Sequence, residues 1–312
     1  MGRSSNMAKG IACGAGAGAL WGLVFLAPEL ARDFTPLQLA VGRYCAYGLI
    51  AMALIAPRWP MIRSKITRRE GFALVWLALS GNVVYYILLS SAVQKGGIAM
   101  ASLVIGFLPV VVTIVGSREH GAVPLRVLAP SLLLCCAGAV CIGWQAIMAP
   151  VSGTPGEAVQ GFFLAVGALI SWSAYAIGNN RCLERLSDIS AHDWSLLTGM
   201  MTGAQAMVLI PIAMMSSSIA HNLGAWLHFA AICAGVAVLA SIMGNSLWNR
   251  ACRLLPLTMV GQMVLFETLF ALIYGFIWEQ RLPTMLELAA FALVVMSVLS
   301  CIAVHQKHQR TR

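Results

Sequence analysis

Charged residues are scarce in this sequence. Asp, Glu, Lys and Arg together make up 10% of its 312 residues, whereas 60% are hydrophobic. Soluble domains carry roughly 25% charged residues, which cover their surface against water. A soluble protein of this length would lack the polar residues for such a surface. The sequence therefore predicts a protein whose surface faces mostly lipid.

Motifs of nucleotide hydrolysis and of metal-dependent or serine hydrolysis are missing as well. The chain contains no G-x-x-x-x-G-K-[ST], no H-E-x-x-H and no G-x-S-x-G, so we expect none of those reactions. Its nine cysteines form no C-x-x-C pair and lie in hydrophobic runs or just beyond one end of them. A disulfide framework or a zinc site is therefore not expected, and the sequence predicts no metal and no cofactor.

Long hydrophobic runs are abundant instead. Ten of them approach the ~20 residues that a helix needs to cross the hydrocarbon layer. In chain order they are 8–27, 37–56, 71–93, 98–117, 127–148, 159–178, 194–214, 225–247, 257–278 and 285–304. The gap at 94–97 leaves room only for a tight turn. We predict an all-α polytopic membrane protein with ten transmembrane helices.

Basic residues are distributed unevenly among the gaps between these runs. Sixteen Lys and Arg residues lie in one alternate set of gaps and tails, whereas the other set holds Arg32, Lys95 and Arg281. Because Lys and Arg concentrate on the cytoplasmic side, both termini are predicted to be cytoplasmic. The net charge of +9 then reflects membrane topology and not nucleic-acid binding, which needs a basic face. We expect the lipid bilayer as a partner and no nucleic acid.

The sequence also contains an internal repeat. A Gly and a Trp eleven residues apart in the first run recur in the sixth run, and a Gly-Asn pair in the third run recurs in the eighth. We predict two halves, 1–148 and 159–312, joined by an extracytoplasmic loop at 149–158, with a short basic cytoplasmic tail. Since each half has five helices, the second enters the membrane from the opposite side. Such inverted repeats are typical of secondary transporters with a site near the bilayer midplane.

Two motifs resemble those of a known transporter superfamily. The segment L-P-V at 108–110 is followed by Glu119, and F-E-T at 266–268 is followed by Glu279. Both are similar to the P-V or E-P-V pair, apolar stretch and terminal G-E of EamA-type drug/metabolite transporters, and the resemblance covers nearly the whole chain. The sequence departs from that pattern, because neither glutamate follows Gly and Thr268 replaces the second proline.

Within that superfamily the chain is most similar to YddG-type bacterial exporters of aromatic amino acids. The resemblance implies ten helices around a central cavity, with the fifth and tenth helices at the periphery. It also implies a multi-pass protein of the bacterial inner membrane that exports a small-molecule substrate. We expect it to function as a single chain.

The sequence leaves three classes of function open. A secondary transporter that exports aromatic or other apolar amino acids and related metabolites fits the inverted repeat. A membrane-embedded enzyme, such as a lipid-modifying transferase, needs clustered acid, base or metal ligands, and a channel needs a continuous polar pore. The transporter is favoured, while the exact substrate, the direction of transport and proton coupling stay open. Other metabolites or drugs are the alternative cargo.

Two charged residues lie well inside the hydrophobic runs, where ionisable groups are costly and usually functional. Glu267 lies at the middle of the ninth run, where burial favours its neutral form. It could bind a substrate ammonium or carry a proton, and a structural hydrogen bond is the alternative. Arg43 lies about two turns from the outer end of the second run. It could meet a substrate carboxylate, form an ion pair or gate with Glu267, or extend to the membrane interface.

Polar and aromatic side chains in the middle of runs are further candidates for a substrate site. The amides are Asn82, Asn179, Asn245 and Gln262. Their alternative role is to hydrogen-bond neighbouring helices. The aromatic candidates are Trp21, Tyr85, Tyr86, Trp172, Tyr175 and Trp248. They lie away from the run ends, where interfacial aromatic residues belong, and ordinary helix packing is their alternative.

Glycine and proline mark predicted packing surfaces and hinges. A stripe at every fourth residue of the first run predicts a smooth groove for a neighbouring helix: Gly10, Gly14, Gly18 and Gly22. Pro109 removes a backbone hydrogen bond and predicts a kink in the fourth run, and Gly81 and Gly244 permit a bend. We predict these three residues as hinges between inward-open and outward-open states. In the tail, His305 and His308 are expected to be solvated.

Overall fold

The computed structural model describes residues 2–117, 123–148, 155–186, 188–217, 221–280 and 282–310. Within these ranges the chain is 89% helical and contains no strand. Its α-helices are α1 (Gly2–Leu30), α2 (Pro36–Ile55), α3 (Trp59–Arg63), α4 (Arg68–Ala78), α5 (Val84–Ile105), α6 (Leu108–Gly116), α7 (Leu125–Met148), α8 (Pro155–Arg185), α9 (Ala191–Met215), α10 (Leu223–Val236), α11 (Asn245–Leu254), α12 (Leu257–Met263), α13 (Leu265–Glu279) and α14 (Met285–Arg310).

Eight helical stretches of the described chain are long and apolar enough to cross a membrane. They are Asn6–Leu30, Pro36–Arg63, Arg68–Ile98, Gly156–Arg185, Ala191–Met215, Leu223–Leu254, Leu257–Trp278 and Met285–Lys307. A shorter apolar helix covers Leu125–Cys141. All nine overlap predicted runs, so the all-helical, multi-span class is confirmed. The count of ten stays a prediction, because the runs at 98–117 and 127–148 are not among the eight.

The run at 98–117 is helical but broken. Gly97, just before it, has φ 82° and ψ 166°, a conformation that only glycine adopts at little steric cost. The helix is thus interrupted where the sequence predicts a tight turn at 94–97. A second interruption at Gly106 and Phe107 precedes α6. Two interruptions leave no single unbroken helix of ~20 residues there.

Two of the spanning stretches contain π-helical segments. The first π segment, Leu79–Val83, joins α4 to α5, and the second π segment, Ala237–Gly244, joins α10 to α11. A π turn is wider than an α turn, and such segments occur frequently at functional sites. The two glycines predicted as hinges, Gly81 and Gly244, both lie in these segments.

The glycine stripe of α1 packs against α12 and α13. A Cβ on Gly14 would lie 2.8 Å from the side chain of Met263, and a Cβ on Gly18 would lie 2.7 Å from the backbone nitrogen of Glu267. These distances leave no room for a side chain, so glycine is what allows the helices to approach this closely. The predicted packing role of the stripe is confirmed by these contacts.

Helices α2 and α9 also meet backbone to backbone. A Cβ on Gly48 would lie 2.6 Å from the Cα of Gly203. Near this crossing, the Tyr47 hydroxyl donates a hydrogen bond of 2.7 Å to the carbonyl of Ser195. This pair forms one wall of the bundle, and α5 packed against α8 forms another.

Helices α7 and α14 pack chiefly against each other. The Ser297 hydroxyl donates a hydrogen bond of 2.6 Å to the carbonyl of Ser131, and a Cβ on Gly138 would lie 3.0 Å from the Val294 side chain. Neither helix contributes a residue to the cavity described below. This arrangement agrees with the peripheral position that the resemblance implies for the fifth and tenth helices.

The predicted connecting loop at 149–158 extends past the residue at which the next helix begins. Helix α8 begins at Pro155, inside that loop, because proline is well suited to the first turn of a helix. Residues 149–154 lie outside the described ranges. So do Glu119 and the side chain of Glu279, the two terminal glutamates of the predicted motifs.

The backbone contact between α2 and α9 allows a direct test of packing. Gly48→Ala places a methyl group against Gly203 and should lower the free energy of unfolding by about 1–3 kcal/mol, although alanine is the better helix former. The melting temperature of the purified protein in detergent measures this loss. Gly235→Ala is the matched control, because a Cβ there meets no atom within 4 Å. Equal melting temperatures for the two variants would contradict the packing.

Candidate functional site

A narrow cavity lies between helices of both halves of the chain. It is walled by α1, α2, α5, α8, α11 and α13 together with the first π segment. The lining residues are Trp21, Val24, Arg43, Tyr44, Gly81, Asn82, Tyr85, Trp172, Tyr175, Asn245 and Glu267. Its volume is 20 Å³, which is enough for about one water molecule. The cavity is therefore contracted, and its wall must move before an amino acid could enter.

Glu267 contributes the carboxylate of this cavity. Its side chain is 3% exposed, and no described residue forms a hydrogen bond or ion pair with it. Helical hydrogen bonding is interrupted at Val264, so Glu267 falls in the first turn of α13. The close approach of Gly18 to its backbone packs α1 tightly beside it. The carboxylate is thus buried, unpaired and available to a ligand.

Arg43 contributes a cation to the same cavity. Its side chain is 5% exposed, so it is enclosed by protein and does not extend to the membrane interface. Its Nε donates a hydrogen bond of 3.1 Å to the Ser241 hydroxyl. The guanidinium carbon lies 4.3 Å from the ring centroid of Tyr86 and 5.0 Å from that of Tyr44. Cation–π contacts of this kind stabilise a buried cation without an acidic partner.

The predicted ion pair between Arg43 and Glu267 is not formed. In the described part of the chain, contacts of 4 Å or less between acidic and basic groups join Arg32 to Glu29 and Arg58 to Asp193. A serine hydroxyl and two tyrosine rings hold the guanidinium instead. A cavity that holds a carboxyl group and a guanidinium apart can bind a ligand that carries an ammonium and a carboxylate, and the ammonium would favour the ionised form of the carboxyl group.

Aromatic rings form the apolar part of the wall. Trp172 packs edge-on against Trp21, with ring centroids 5.6 Å apart and an interplanar angle of 86°. Its ring also lies 5.7 Å from Tyr175 and 6.3 Å from Tyr85. Edge-to-face and tilted arrangements of this kind stabilise one another. The wall therefore offers a rigid surface suited to a planar apolar group.

Two asparagines add polar groups to the lining. Asn245 donates a hydrogen bond of 3.4 Å from Nδ2 to the hydroxyl of Tyr47, so its amide is tied to α2. The Nδ2 of Asn82 is buried and has no hydrogen-bond partner among the described residues. A buried donor without a partner costs free energy. An acceptor on a bound ligand would satisfy it, so Asn82 is the more available of the two amides.

Four predicted site residues do not line the cavity. They are Tyr86, Asn179, Trp248 and Gln262. Tyr86 supports the guanidinium described above, and Trp248 lies behind Trp21 with ring centroids 5.0 Å apart. Gln262 accepts a hydrogen bond of 3.3 Å from Ser297, which joins α12 to α14. In this conformation these side chains can act on a ligand only through other residues.

Asn179 joins three helices and does not face the cavity. Its Oδ1 accepts a hydrogen bond of 2.9 Å from Nε1 of Trp194, and its Nδ2 donates one of 2.8 Å to Oδ1 of Asn249. Asn249 in turn donates to the carbonyl of Ala191 at 3.4 Å. Both ends of the Asn179 amide are engaged, so the structure favours the alternative in which this residue joins helices.

The predicted hinge glycines allow aromatic rings to lie against the two π segments. A Cβ on Gly81 would lie 2.2 Å from the ring of Tyr175, and a Cβ on Gly244 would lie 2.7 Å from Nε1 of Trp21. That Nε1 donates a hydrogen bond of 3.1 Å to the carbonyl of Ala240 in the second π segment. Both glycines therefore position the wall of the cavity, and their role as hinges stays a prediction.

Pro109 does not form the predicted kink in the middle of a helix. It is the second residue of α6, where a missing backbone N–H costs little because the first turn has no helical acceptor for it. The interruption precedes it, at Gly106 and Phe107. The carbonyl of Gly106 accepts a hydrogen bond of 3.1 Å from the Cys135 thiol. We therefore predict the hinge of this region at the interruption before Pro109 and not at Pro109 itself.

Sequence reasoning missed two residues that hold the site together. Ser241 binds the Arg43 guanidinium and precedes Asn245 by one helical turn. That spacing, which Trp248 continues, is a signal that could have found it. Tyr44 lines the cavity and donates a hydrogen bond of 3.1 Å to the carbonyl of Asn82. No periodic pattern in the second run distinguishes Tyr44 from a packing residue.

His305 is buried, so the expectation of a solvated side chain was wrong. The residue is 3% exposed. Its Nε2 lies 2.8 Å from the hydroxyl of Thr258, and its Nδ1 lies 2.9 Å from the carbonyl of Cys301. The reason is that α14 continues to Arg310 and packs this face against α12. The side chain of His308 lies outside the described residues.

An aromatic cluster packs against α2 next to Arg43. The ring of Phe34 stacks on those of His221 and Phe229, with centroid distances of 4.1 Å in both cases. A Cβ on Gly42, the residue before Arg43, would lie 2.9 Å from the Phe229 ring. This aromatic cluster therefore contacts the helical turn of α2 that carries Arg43.

Known proteins share both the sequence pattern and the fold. The model of the EamA-like transporter family matches residues 8–144 and 159–302. The chain belongs to the EamA-like transporter family. Inner membrane protein YtfF of Escherichia coli (strain K12) is 30% identical over 318 residues, covering 94% of each chain. The crystal structure of another protein matches the fold with a TM-score of 0.67 at 18% identity, over 94% of this chain and 97% of the other.

Membership of the EamA-like family confirms the resemblance to the drug/metabolite transporter superfamily. Members of this family are membrane transporters, and the spanning stretches described above agree with that role. The relative from Escherichia coli is an inner membrane protein. The likeness to the solved structure shows the fold alone. The cavity with its two charges is accordingly a candidate substrate site of an EamA-like transporter.

Two asparagine variants test which amide holds the structure together. Asn179→Ala leaves the Trp194 and Asn249 side chains without their partner, so it should lower the free energy of unfolding by about 1–3 kcal/mol. Asn82→Ala removes a side-chain donor that is already unpaired and should cost much less. Melting temperatures of both variants in the absence of ligand measure the difference. A larger loss for Asn82→Ala would contradict these assignments.

Proposed function

We propose that this chain is a secondary transporter that exports small metabolites, with aromatic and other apolar amino acids as its favoured substrates. Transport occurs by alternating access around the cavity, which lies near the membrane midplane between two inverted halves of five helices. Both termini are cytoplasmic. Other metabolites are the alternative cargo for the same site.

One observation carries the choice of substrate. The carboxylate of Glu267 and the guanidinium of Arg43 face the same cavity without pairing. An amino acid presents an ammonium for the first and a carboxylate for the second, and both contacts are charge-assisted hydrogen bonds. The rings of Trp21, Trp172 and Tyr175 then offer an apolar surface for the side chain. A sugar or a simple anion would leave at least one of the two charges unsatisfied.

Matching local features support the two inverted halves. Gly106 precedes the L-P-V motif by two residues and Val264 precedes the F-E-T motif by two, and the helix is interrupted at each. The two π segments each contain a Gly that is followed by Asn. One family model matches each half separately, at 8–144 and 159–302. Helix interruptions at corresponding positions of the two halves are expected if the second half is a duplicate of the first.

Contacts between the halves favour a rocking motion around the cavity. The π segment of the first half receives Tyr175 from the second half, and that of the second half receives Trp21 from the first half. A hydroxyl of Ser171 also donates a hydrogen bond of 2.7 Å to the carbonyl of Ser80 in the first π segment. Each half thus inserts side chains into the irregular helix of the other. Small changes in these segments would widen one end of the cavity while narrowing the other.

Glu267→Gln tests the substrate site directly. Purified protein in liposomes is preloaded with unlabelled amino acids, and the uptake of labelled Phe, Trp, Thr and Met is followed with and without a pH gradient. The wild type should exchange Phe and Trp. The variant keeps the side-chain shape but cannot form the carboxylate that would meet the substrate ammonium, so its exchange should fall by about tenfold or more, because one charge-assisted hydrogen bond contributes ~1.5–3 kcal/mol.

The control for that variant is Asp33→Asn, which also removes one negative charge but at an exposed position. It should exchange like the wild type. Unchanged exchange and unchanged pH dependence in Glu267→Gln, at equal folded protein, would contradict the assignment. If the wild type exchanges no amino acid, other metabolites are tested next and the enzyme alternative after them.

The ten-helix topology has a separate test. Green fluorescent protein is fused after Arg312, and alkaline phosphatase is fused after Gly156, between the two halves. Because the first reporter is fluorescent in the cytoplasm and the second is active outside it, both should give a signal. An inactive phosphatase fusion would contradict five spans in the first half. Loss of fluorescence would contradict the cytoplasmic C-terminus.

A further inference from the structure

An apolar groove on the outside of the bundle lies apart from the cavity. It runs between α2, α4 and α9, has a volume of 550 Å³ and is lined only by apolar residues. The backbone contact of Gly48 with Gly203 lies at its base. Methionines such as Met52, Met200 and Met207 line it. Because their unbranched side chains adjust to irregular shapes, this lining suits a flexible hydrocarbon chain.

The dimensions of the groove match one leaflet of a membrane. Along α9 its lining extends from Leu197 to Ile210, about 20 Å of helix at 1.5 Å per residue. One leaflet is about 15 Å thick in its hydrocarbon core and about 20 Å thick with its headgroup region. At one end the lining includes Trp59 and Ile66. Tryptophan is enriched at the level of lipid headgroups, so this end marks the membrane surface.

Three arginines with unpaired guanidinium groups lie close in sequence to that end of the groove. Arg63, Arg68 and Arg69 are exposed, and none of their guanidinium groups has a hydrogen bond or ion pair within the described chain. Arg58, by contrast, is paired with Asp193 at 2.9 Å. The three free groups flank Ile66 and Gly71 in sequence, which both line the groove. Positively charged side chains and the apolar groove are therefore neighbours at this end.

The N-terminus of α4 is not free to bind an anion. Thr67 caps it, and the Glu70 side chain accepts a hydrogen bond from the Thr67 backbone nitrogen at 3.1 Å. This capping box already satisfies the end of the helix. An anion at this position would therefore be bound by the arginine side chains, whose planar guanidinium matches a phosphate.

We infer that the groove is a binding site for one anionic glycerophospholipid. An acyl chain lies along α9, and the phosphate contacts Arg63, Arg68 and Arg69. An anionic headgroup is preferred over a zwitterionic one, because two acidic side chains described near this end are already engaged and cannot meet a choline cation: Asp193 is paired with Arg58, and Glu70 caps α4. The site is separate from the cavity and independent of the transported substrate.

Native mass spectrometry of the purified protein tests the headgroup. Phosphatidylglycerol and phosphatidylcholine with identical acyl chains are titrated separately. The wild type should retain one phosphatidylglycerol preferentially. Replacing Arg63, Arg68 and Arg69 together by Gln should weaken phosphatidylglycerol binding by about a hundredfold, since each basic group contributes roughly a factor of five. Binding of phosphatidylcholine should weaken much less, because its choline cation already offsets the charge of its phosphate.

The matched control replaces Arg126, Arg181 and Arg250 by Gln, which removes three exposed charges that lie outside the groove. It should keep the lipid preference. If phosphatidylglycerol binding weakened equally in both triple variants, the loss of net charge alone would explain the effect, and the proposal would be overturned. Inorganic phosphate at millimolar concentration should not displace the lipid, and displacement would show that the arginines bind a free anion.

Gly71→Leu tests the acyl-chain part of the site. A Cβ at Gly71 meets no atom within 4 Å, so leucine should fill the groove without disturbing the packing. Binding of both lipids should fall. Gly235→Leu is the control, because that position is equally open and lies outside the groove. Unchanged lipid binding in Gly71→Leu, or a dimer that excludes lipid from the wild type, would overturn the inference.

Discussion

A carboxyl group and a guanidinium are buried in one cavity of this transporter without contacting each other. Removing a charge from water is costly unless other groups stabilise it. Arg43 is stabilised by the rings of Tyr44 and Tyr86 and by the Ser241 hydroxyl, whereas no described residue forms a hydrogen bond with the Glu267 carboxylate. The unsatisfied carboxylate is the reason to place a cationic group of the substrate beside it. The glycines and aromatic rings around the cavity hold both charges in place.

Irregular helices make this arrangement possible. A regular α-helix satisfies its own backbone, but the two π segments accept hydrogen bonds from side chains of other helices, as Ser171 and Trp21 show. Gly81 and Gly244 remove the side chains that would keep the aromatic rings away. The segments that bring the rings to the cavity are therefore also the predicted hinges. In the proposed mechanism, substrate binding and conformational change depend on the same residues.

The sequence predicts helices, packing stripes and buried charges well, because each follows from composition and spacing along one helix. Glu267, Asn82 and Trp172 were found as mid-run polar or aromatic residues, and all three line the cavity. Which partners they meet depends on contacts between helices, which spacing does not encode. Asn179 has the same pattern as a site residue, yet both ends of its amide bind other helices. Spacing along one helix likewise does not predict the π segments or the helix break before Pro109.

The most direct test of the central claim compares ligands that differ in charge and share a phenyl ring. Phenylalanine, its methyl ester and 3-phenylpropionate compete with labelled phenylalanine in counterflow, in the wild type and in Glu267→Gln. A cavity with two separate charges predicts that phenylalanine competes best in the wild type, by about tenfold or more, and that its advantage over 3-phenylpropionate disappears in the variant. Equal competition by all three ligands in the wild type, or an unchanged advantage in Glu267→Gln, would contradict the account.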